Sequence, residues 1–382
     1  MVALFSLNGN AHEVDNITIR LFENEPTASV KLNTEATHIT VIDQNGQETQ
    51  VNSSDGSIEL SSEGNRVRLK SNDTKVINDS LSLLVDENAL ISVDHPDLQP
   101  QKYPDKLRIA ADESGLKILN KTDLETYISG VVGAEMNFDE PQALKSQAVI
   151  ARTYALWLIE QSSDNRSYDL VDHTMNQVYL GVLNSGERFE EAATATEGQV
   201  LTYNDELILA AYSSTCGGAT SSNKGYWDGQ DLPYLNRVAD GGACQLSPHF
   251  QWVFSIDSEE FYQKVGNHIG YDLRSIELGD EDGSDRWKSV YLHVADKEYP
   301  IKVSGVGFRQ HVNAVFGPYA LRSMRFSLER LPNKLIFDGK GMGHGIGLCQ
   351  WGAKGLGLSG WGYEEILKFY YQGVQVNELN NL

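Results

Sequence analysis

Residues 127–156 read YISGVVGAEMNFDEPQALKSQAVIARTYAL, and the chain changes character across them. Upstream, between residues 12 and 118, short alternating runs dominate: ITIRLF at 17–22, ASVKL at 28–32, HITVID at 38–43, QETQV at 47–51, SIELSS at 57–62, RVRLKS at 66–71, SLSLLV at 80–85 and LRIAA at 107–111. Apolar residues at every second position suit half-buried antiparallel strands, and Asn45-Gly46 between two such runs is a hairpin signal. Within the quoted stretch the period lengthens. Leu144, Ala148, Ala151, Ala155 and Leu158 recur at helical spacing, with Pro141 in the first turn and Asp139 or Glu140 as cap. Ahead of them, Thr122 followed by Glu125 is a capping-box pattern, which predicts a short helix carrying Leu124, Tyr127 and Ile128 inward and ending at Gly130. The loop VVGAEMNFDE, residues 131–140 with Glu135 inside it, then joins two helices.

Beyond residue 165 the strand-like pieces return as YDLVD (168–172), QVYLG (177–181), GQVLTY (198–203) and ELILAAYSS (206–214). From 250 to 338 possible strands (KSVYLHVA, YPIKVSG, LIFDG) alternate with a helix near Ser258–His268 and another around Phe308–Phe316. Ten glycines lie between Gly339 and Gly362, and YEEILKFYY at 363–371 is a short amphipathic helix ended by Gly373. The pattern predicts an α+β class: a β-rich mixed fold with an N-terminal antiparallel β module and a few helices flanking an active-site cleft.

The charge balance narrows the partners. With 31 basic and 53 acidic residues the net charge is −22, which repels polyphosphates and anionic lipid and leaves neutral or weakly charged polymers such as glycans open. No stretch approaches the roughly 20 apolar residues that cross a bilayer. The opening MVALFSLNGNA lacks a basic n-region and does not read as a signal peptide, so the chain is either cytosolic or has had its export segment removed.

A carboxylate in a loop is ordinarily a solvated group. Glu135 departs from that because Val131, Val132, Ala134, Met136 and Phe138 surround it in sequence, and desolvation raises a carboxyl pKa, as a general acid working near neutral pH requires. Arg152, on the edge of the helical stripe, either binds a substrate carboxylate through two parallel hydrogen bonds or pairs with a surface acid. The tail GKGMGHGIGLCQWGAKG is not a phosphate loop: no Gly-Lys-Ser/Thr follows, and alternating glycines instead let backbone approach another strand or a ligand closely. His344 within it is either a hydrogen-bonding group of a site or a satisfied structural histidine. YSSTCGGATSSN, residues 212–223, is either a turn or a polar binding loop, and nothing in it spaces a Ser-His-Asp arrangement. Three widely spaced cysteines lack a CxxC pair. A Cys216–Cys244 disulfide with Cys349 free, or plain thiols, is the favoured reading, and a zinc site built from two or three of these thiolates with His249 or His344 is the alternative.

Taken together, YISGVVGAEM (127–136), ALKSQAVIARTYAL (143–156), NQVYLG (176–181), GQVLTY, AAYSSTCGGATSSNKGYW (210–227), PYL (233–235), GMGHGIGLCQWGAKGLG (341–357) and YEEILKFYYQGVQV (363–376) resemble the SpoIID/LytB domain family in order and content. The resemblance implies a β-rich module over 1–105, followed over 106–376 by a domain of this family with a β-containing insertion around 250–338. It implies action on peptidoglycan: catalytic members are lytic transglycosylases that cut glycan strands stripped of stem peptides. The family's essential Glu falls on Glu135 and the Arg of its ARTYAL helix on Arg152. The remaining candidate substrate contacts are Tyr212, Ser213, Ser214, Thr215, His344 and Gln350. One acid suffices for this chemistry because the 6-hydroxyl of N-acetylmuramic acid (MurNAc) is the nucleophile and closes a 1,6-anhydro ring; the paired carboxylates of ordinary glycosidases are not needed. No cofactor is required, and zinc enters only through the thiols. The resemblance also implies an extracytoplasmic place, in the periplasm or cell envelope. Ser213-Ser214 stands where many members have His-Ser, and Cys349 and Trp351 stand where Ser and Tyr are frequent. Some members enhance cell-wall amidases instead of cutting, so an amidase is the alternative partner.

Overall fold

In the first third every second side chain goes inward. The computed structural model describes residues 14–52, 58–72, 74–85, 89–162, 166–182, 186–226 and 231–382. The opening MVALFSLNGNA, Ser57 of the SIELSS run and Trp227 of the loop motif lie outside them. Ile17, Ile19, Ile39, Val41, Leu81, Leu83, Leu107 and Ile109 are all buried on a seven-stranded sheet. Its strands run, in spatial order, Leu170–Val171, Asn16–Leu21, Gly115–Asp123, Lys106–Asp112, Ser80–Leu84, His38–Asp43 and Glu48–Asn52. All neighbours are antiparallel except Leu170–Val171, which lies parallel to Asn16–Leu21. A six-stranded sheet, in the order Gln101–Tyr103, Ile91–Asp94, Ser29–Thr34, Ile58–Glu63, Arg66–Lys70 and Lys75–Asn78, packs its buried Leu60, Val67 and Leu69 against the first. The Asn45-Gly46 hairpin forms between His38–Asp43 and Glu48–Asn52, with Gly46 at φ 80°. A boundary at residue 105 would cut through the larger sheet, because Lys106–Asp112 and Gly115–Asp123 sit between Asn16–Leu21 and Ser80–Leu84.

The helices are α1 (Leu124–Glu135), α2 (Pro141–Gln161), α3 (Glu187–Thr194), α4 (Asn223–Tyr226), α5 (Ser258–Ile269), α6 (Gly305–Phe316), α7 (Gln350–Leu358) and α8 (Tyr363–Tyr370). Two small antiparallel sheets accompany α5 and α6 between residues 251 and 340: Gln251–Asp257, Lys334–Lys340 and Phe326–Leu331 form one, Leu273–Leu278, Ser289–Val294 and Ile301–Ser304 the other. No helix among the described residues is long and apolar enough to cross a membrane.

Three local departures matter for the site. Thr122 is not a cap: it is buried in the strand opposite Ile17 and its hydroxyl donates to Asp105 Oδ2 at 2.6 Å, so Asp123 caps α1 instead by accepting from Thr126 N at 2.7 Å. Nor does Gly130 end the helix. A Cβ there would stand 2.7 Å from the Gly181 carbonyl and 2.8 Å from the Tyr179 ring, so this glycine permits close packing in mid-helix and Glu135 becomes the last residue of α1, not a loop residue. Finally, α7 forms in the glycine-rich tail, where the spacing showed no helix. A Cβ on Gly355 would collide with the Ala243 carbonyl, so the low-propensity residue is what lets α7 lie against the 3-10 turn Ala243–Leu246.

Arg152 holds this arrangement together. Its side chain has no exposed surface. The guanidinium pairs with both oxygens of Glu125 on α1, with Nε–Oε1 at 2.7 Å, and donates to the carbonyls of Gln199 at 3.0 Å and Ala193 at 3.4 Å. With no exposed surface and with Glu125 and two backbone carbonyls as its partners, its place is structural and not that of a ligand contact. Breaking a buried ion pair on one side leaves the other charge uncompensated. Arg152→Met is therefore expected to lower the unfolding free energy by about 3 kcal/mol in urea titrations, and a loss below about 1 kcal/mol, typical of a surface pair, would contradict this role.

Candidate functional site

The C-terminus of α1 delivers Glu135 to a point where four segments meet. One carboxylate oxygen accepts from the Val178 amide at 2.9 Å, and the Tyr212 hydroxyl donates to the same carboxyl group. Gln350, at the start of α7, donates its amide to the Glu135 carbonyl at 3.1 Å and to Gln147 Oε1 at 3.3 Å. The Tyr212 hydroxyl also lies against Gln177, whose Oε1 accepts from Tyr127 at 3.2 Å. Gln147, Gln177 and Tyr127 are wholly buried. The acid, half-buried like Tyr212, is thus backed by polar side chains that are themselves closed off from water.

Burial pushes the Glu135 carboxyl above the ordinary Glu range, and the Val178 and Tyr212 donors pull it part of the way back. Among the described residues no other carboxylate is one of the groups that shift it. Burial also drives the Tyr212 phenol well above its usual value, so it stays protonated and remains a donor. His344 accepts from Ile346 N at 3.1 Å through Nδ1 and bonds the Tyr212 backbone through its ring; burial lowers its pKa to about 4, which keeps the imidazole neutral. It positions the Tyr212 strand. Tyr212–Ser213 in turn pairs parallel with Leu348–Cys349, which is possible because a Cβ on Gly347 would collide with the Ala211 carbonyl.

The predicted polar loop divides into two. Tyr212 faces the acid, whereas Ser213 and Thr215 are buried, Thr215 sharing a 2.7 Å hydrogen bond with Ser247. Ser214 is half-buried and receives the Trp351 amide on its carbonyl at 3.1 Å. Glu135, Tyr212, His344 and Gln350 are brought together; Arg152 and Thr215 are engaged elsewhere. Gln147, Gln177, Tyr127 and the Val178 amide were missed by sequence reasoning. The available signal was Gln147, a polar residue directly beside the apolar Leu144–Ala148 stripe of α2. Near the acid, Phe138 and Trp351 meet edge to face at 4.7 Å, with the Lys354 ammonium 4.7 Å and 5.0 Å above their rings.

The cysteines also converge. Cys216 and Cys244 sulfurs stand 3.6 Å apart, beyond the roughly 2.05 Å of a disulfide bond, so the favoured Cys216–Cys244 bridge is not formed and all three thiols are free and buried. His249 and His344 are not their partners: His249 Nδ1 is 3.0 Å from Arg322, and His344 holds the Tyr212 strand. Asp240 is the fourth group instead.

The seating of Glu135 yields a direct test. Replacing Tyr212 by Phe removes a donor that lowers the acid's pKa, so the Glu135 carboxyl titration followed by carbon-13 NMR is expected to move further up in Tyr212→Phe. A downward shift would show that the hydroxyl does not serve the carboxylate.

A family model described as Stage II sporulation protein, SpoIID, matches residues 112–203. Stage II sporulation protein D of Bacillus subtilis is 31% identical over 270 residues, which is 67% of this chain and 74% of that protein. An uncharacterized protein of Brachyspira hyodysenteriae is 30% identical over 267 residues, 69% of each chain. The protein named Amidase enhancer in Bacillus subtilis is 26% identical over 291 residues, 64% of this chain but 39% of its own length.

Proposed function

The chain belongs to the stage II sporulation protein D family, and from that membership and the setting of Glu135 we propose that it is a peptidoglycan lytic transglycosylase of the cell envelope, acting on glycan strands free of stem peptides. The observation that carries this reading is a single desolvated acid with raised pKa, held by an amide and a phenol and with no second carboxylate acting on it among the described residues. An inverting or retaining glycosidase needs two carboxyl groups; this chemistry needs one. Glu135 gives its proton to the glycosidic oxygen between MurNAc and N-acetylglucosamine as the bond to C1 breaks. The MurNAc 6-hydroxyl oxygen bonds to C1, and its proton passes to the Glu135 carboxylate, which restores the acid and leaves a 1,6-anhydro end. The Tyr212 hydroxyl, kept protonated, steadies the carboxylate in between. Phe138 and Trp351 offer apolar ring surface of the kind on which sugar faces stack.

Incubation with peptide-free glycan strands and mass spectrometry of the products tests the reading. Anhydro-terminated fragments are expected from the wild type, and about 10²–10⁴-fold fewer from Glu135→Gln. The acid form is the working form, so kcat/KM is expected to hold at low pH and fall as pH rises through the elevated Glu135 pKa. Absence of anhydro ends, or equal yield from Glu135→Gln, would overturn it.

The likeness to the protein named Amidase enhancer supports a second reading, in which the chain binds glycan or an amidase and raises the amidase's rate. Stimulation of a cell-wall amidase that persists in Glu135→Gln favours that role over cutting.

A further inference from the structure

Behind the Tyr212 strand, four buried donor atoms from separate segments face one another. Cys216 follows the strand, Asp240 and Cys244 flank the start of the 3-10 turn Ala243–Leu246, and Cys349 caps α7; their sulfur and carboxylate atoms all lie within 4.8 Å of one another. We propose that Cys216, Asp240, Cys244 and Cys349 form a closed tetrahedral site for a structural zinc ion, separate from the groups that hold Glu135.

Geometry supports it first. Zinc with thiolates at about 2.3 Å and a carboxylate at about 2.0 Å sets its ligand atoms roughly 3.5–3.8 Å apart. Here Cys216 and Cys244 sulfurs are 3.6 Å apart and Cys216 Sγ is 3.0 Å from Asp240 Oδ2, a spacing that small side-chain shifts convert into a tetrahedron. Three sulfurs and one oxygen suit a soft to borderline ion such as zinc and do not suit calcium or magnesium. With all four residues buried, no position is left open for water, which is the pattern of a structural and not a catalytic site.

The surroundings supply hydrogen-bond donors to the sulfurs. Cys349 Sγ accepts amide hydrogens from Cys216 at 3.1 Å and from Gly352 at 3.3 Å, and Cys244 Sγ accepts from the Gly218 amide. Cys349 also stands at the N-terminus of α7, where the helix favours negative charge. Asp240 is held by the Gly242 amide at 3.0 Å, and the groups acting most on it are burial, two thiols and that amide, none of them a cation. A buried carboxylate facing thiols is costly without a positive ion. Tyr370 adds an independent sign: it is fully buried, its hydroxyl has no hydrogen-bond partner among the described residues, and all four groups act on it electrostatically. On binding, each ligating thiol releases its proton to solvent, so affinity rises with pH. The ion would tie α7 and its Gln350 to the loop that carries Tyr212.

Metal analysis of protein purified without chelator is expected to give about one zinc per chain. Cobalt(II) added to chelator-stripped wild type is expected to produce a thiolate charge-transfer band with tetrahedral d–d bands, and zinc to bleach it. Asp240→Asn, which keeps the side-chain shape, is expected to hold zinc at least about tenfold more weakly and to show a smaller fall in Tm upon chelator addition than the wild type. Cys244→Ser is expected to lose the charge-transfer intensity in part; if it fails to fold, the cobalt spectrum of the wild type still decides. No stoichiometric metal after loading, or a Cys216–Cys244 disulfide in the mass spectrum of the native protein, would overturn the site. Because the readout is metal and spectrum, it is independent of whether the chain cuts glycan.

Discussion

Arg152 gives up its hydration to the Glu125 carboxylate and to two backbone carbonyls, and three stretches of chain are fixed by that exchange: α1, the end of α3 and the strand beginning at Gln199. A guanidinium can do this because its planar fork satisfies a carboxylate on one side and carbonyls on the others at once. Glu125 is in the first turn of α1 and Glu135 is its last residue, about 15 Å away along the helix axis. The pair therefore aims the acid from a distance. Between them the helix is packed on α2 and α3 and its apolar side chains are buried, so there is little slack in the lever.

At the far end, the acid's neighbours are held as firmly as the acid. Gln350 bonds both the Glu135 carbonyl and Gln147, Tyr127 bonds Gln177, and His344 fixes the strand that carries Tyr212. Buried amides and phenols are costly when left alone, and when joined they specify one arrangement. Under the proposed reading the groups that would meet substrate are two, Glu135 and Tyr212, and the surrounding polar residues hold them in register.

Much of the fold was legible because a strand with one wet face writes a period of two into its residues; the runs from ITIRLF to LRIAA all became strands or parts of them within the described residues. The α2 stripe was equally plain. What failed to show was whatever depends on a partner distant in sequence. Arg152 looked available because nothing local reveals Glu125, which lies 27 residues away. α7 was hidden because glycine is a poor helix former, and only the close approach of the Ala243 backbone explains its use. Thr122 matched a capping pattern, yet its side chain was already committed to a strand and to Asp105. Asp240 sits in a sequence, ADGGAC, that reads as a turn, so the fourth member of the cysteine cluster could be found only in space. Glu135 drew notice through the apolar residues beside it in sequence, whereas the groups that hold it, Val178, Tyr212 and Gln350, come from distant segments and could be found only in space.

That α1 runs on to Glu135, where a turn after Gly130 was expected, has an electrostatic consequence. The aligned peptide units of a helix leave the equivalent of about half a negative charge at its C-terminus. Glu135 is placed at that end, where the helix opposes ionisation of its own last side chain. Had the chain turned out at Gly130, the carboxyl would lack this field. By lasting to its full length, the helix adds its backbone to the forces that keep a proton on the acid.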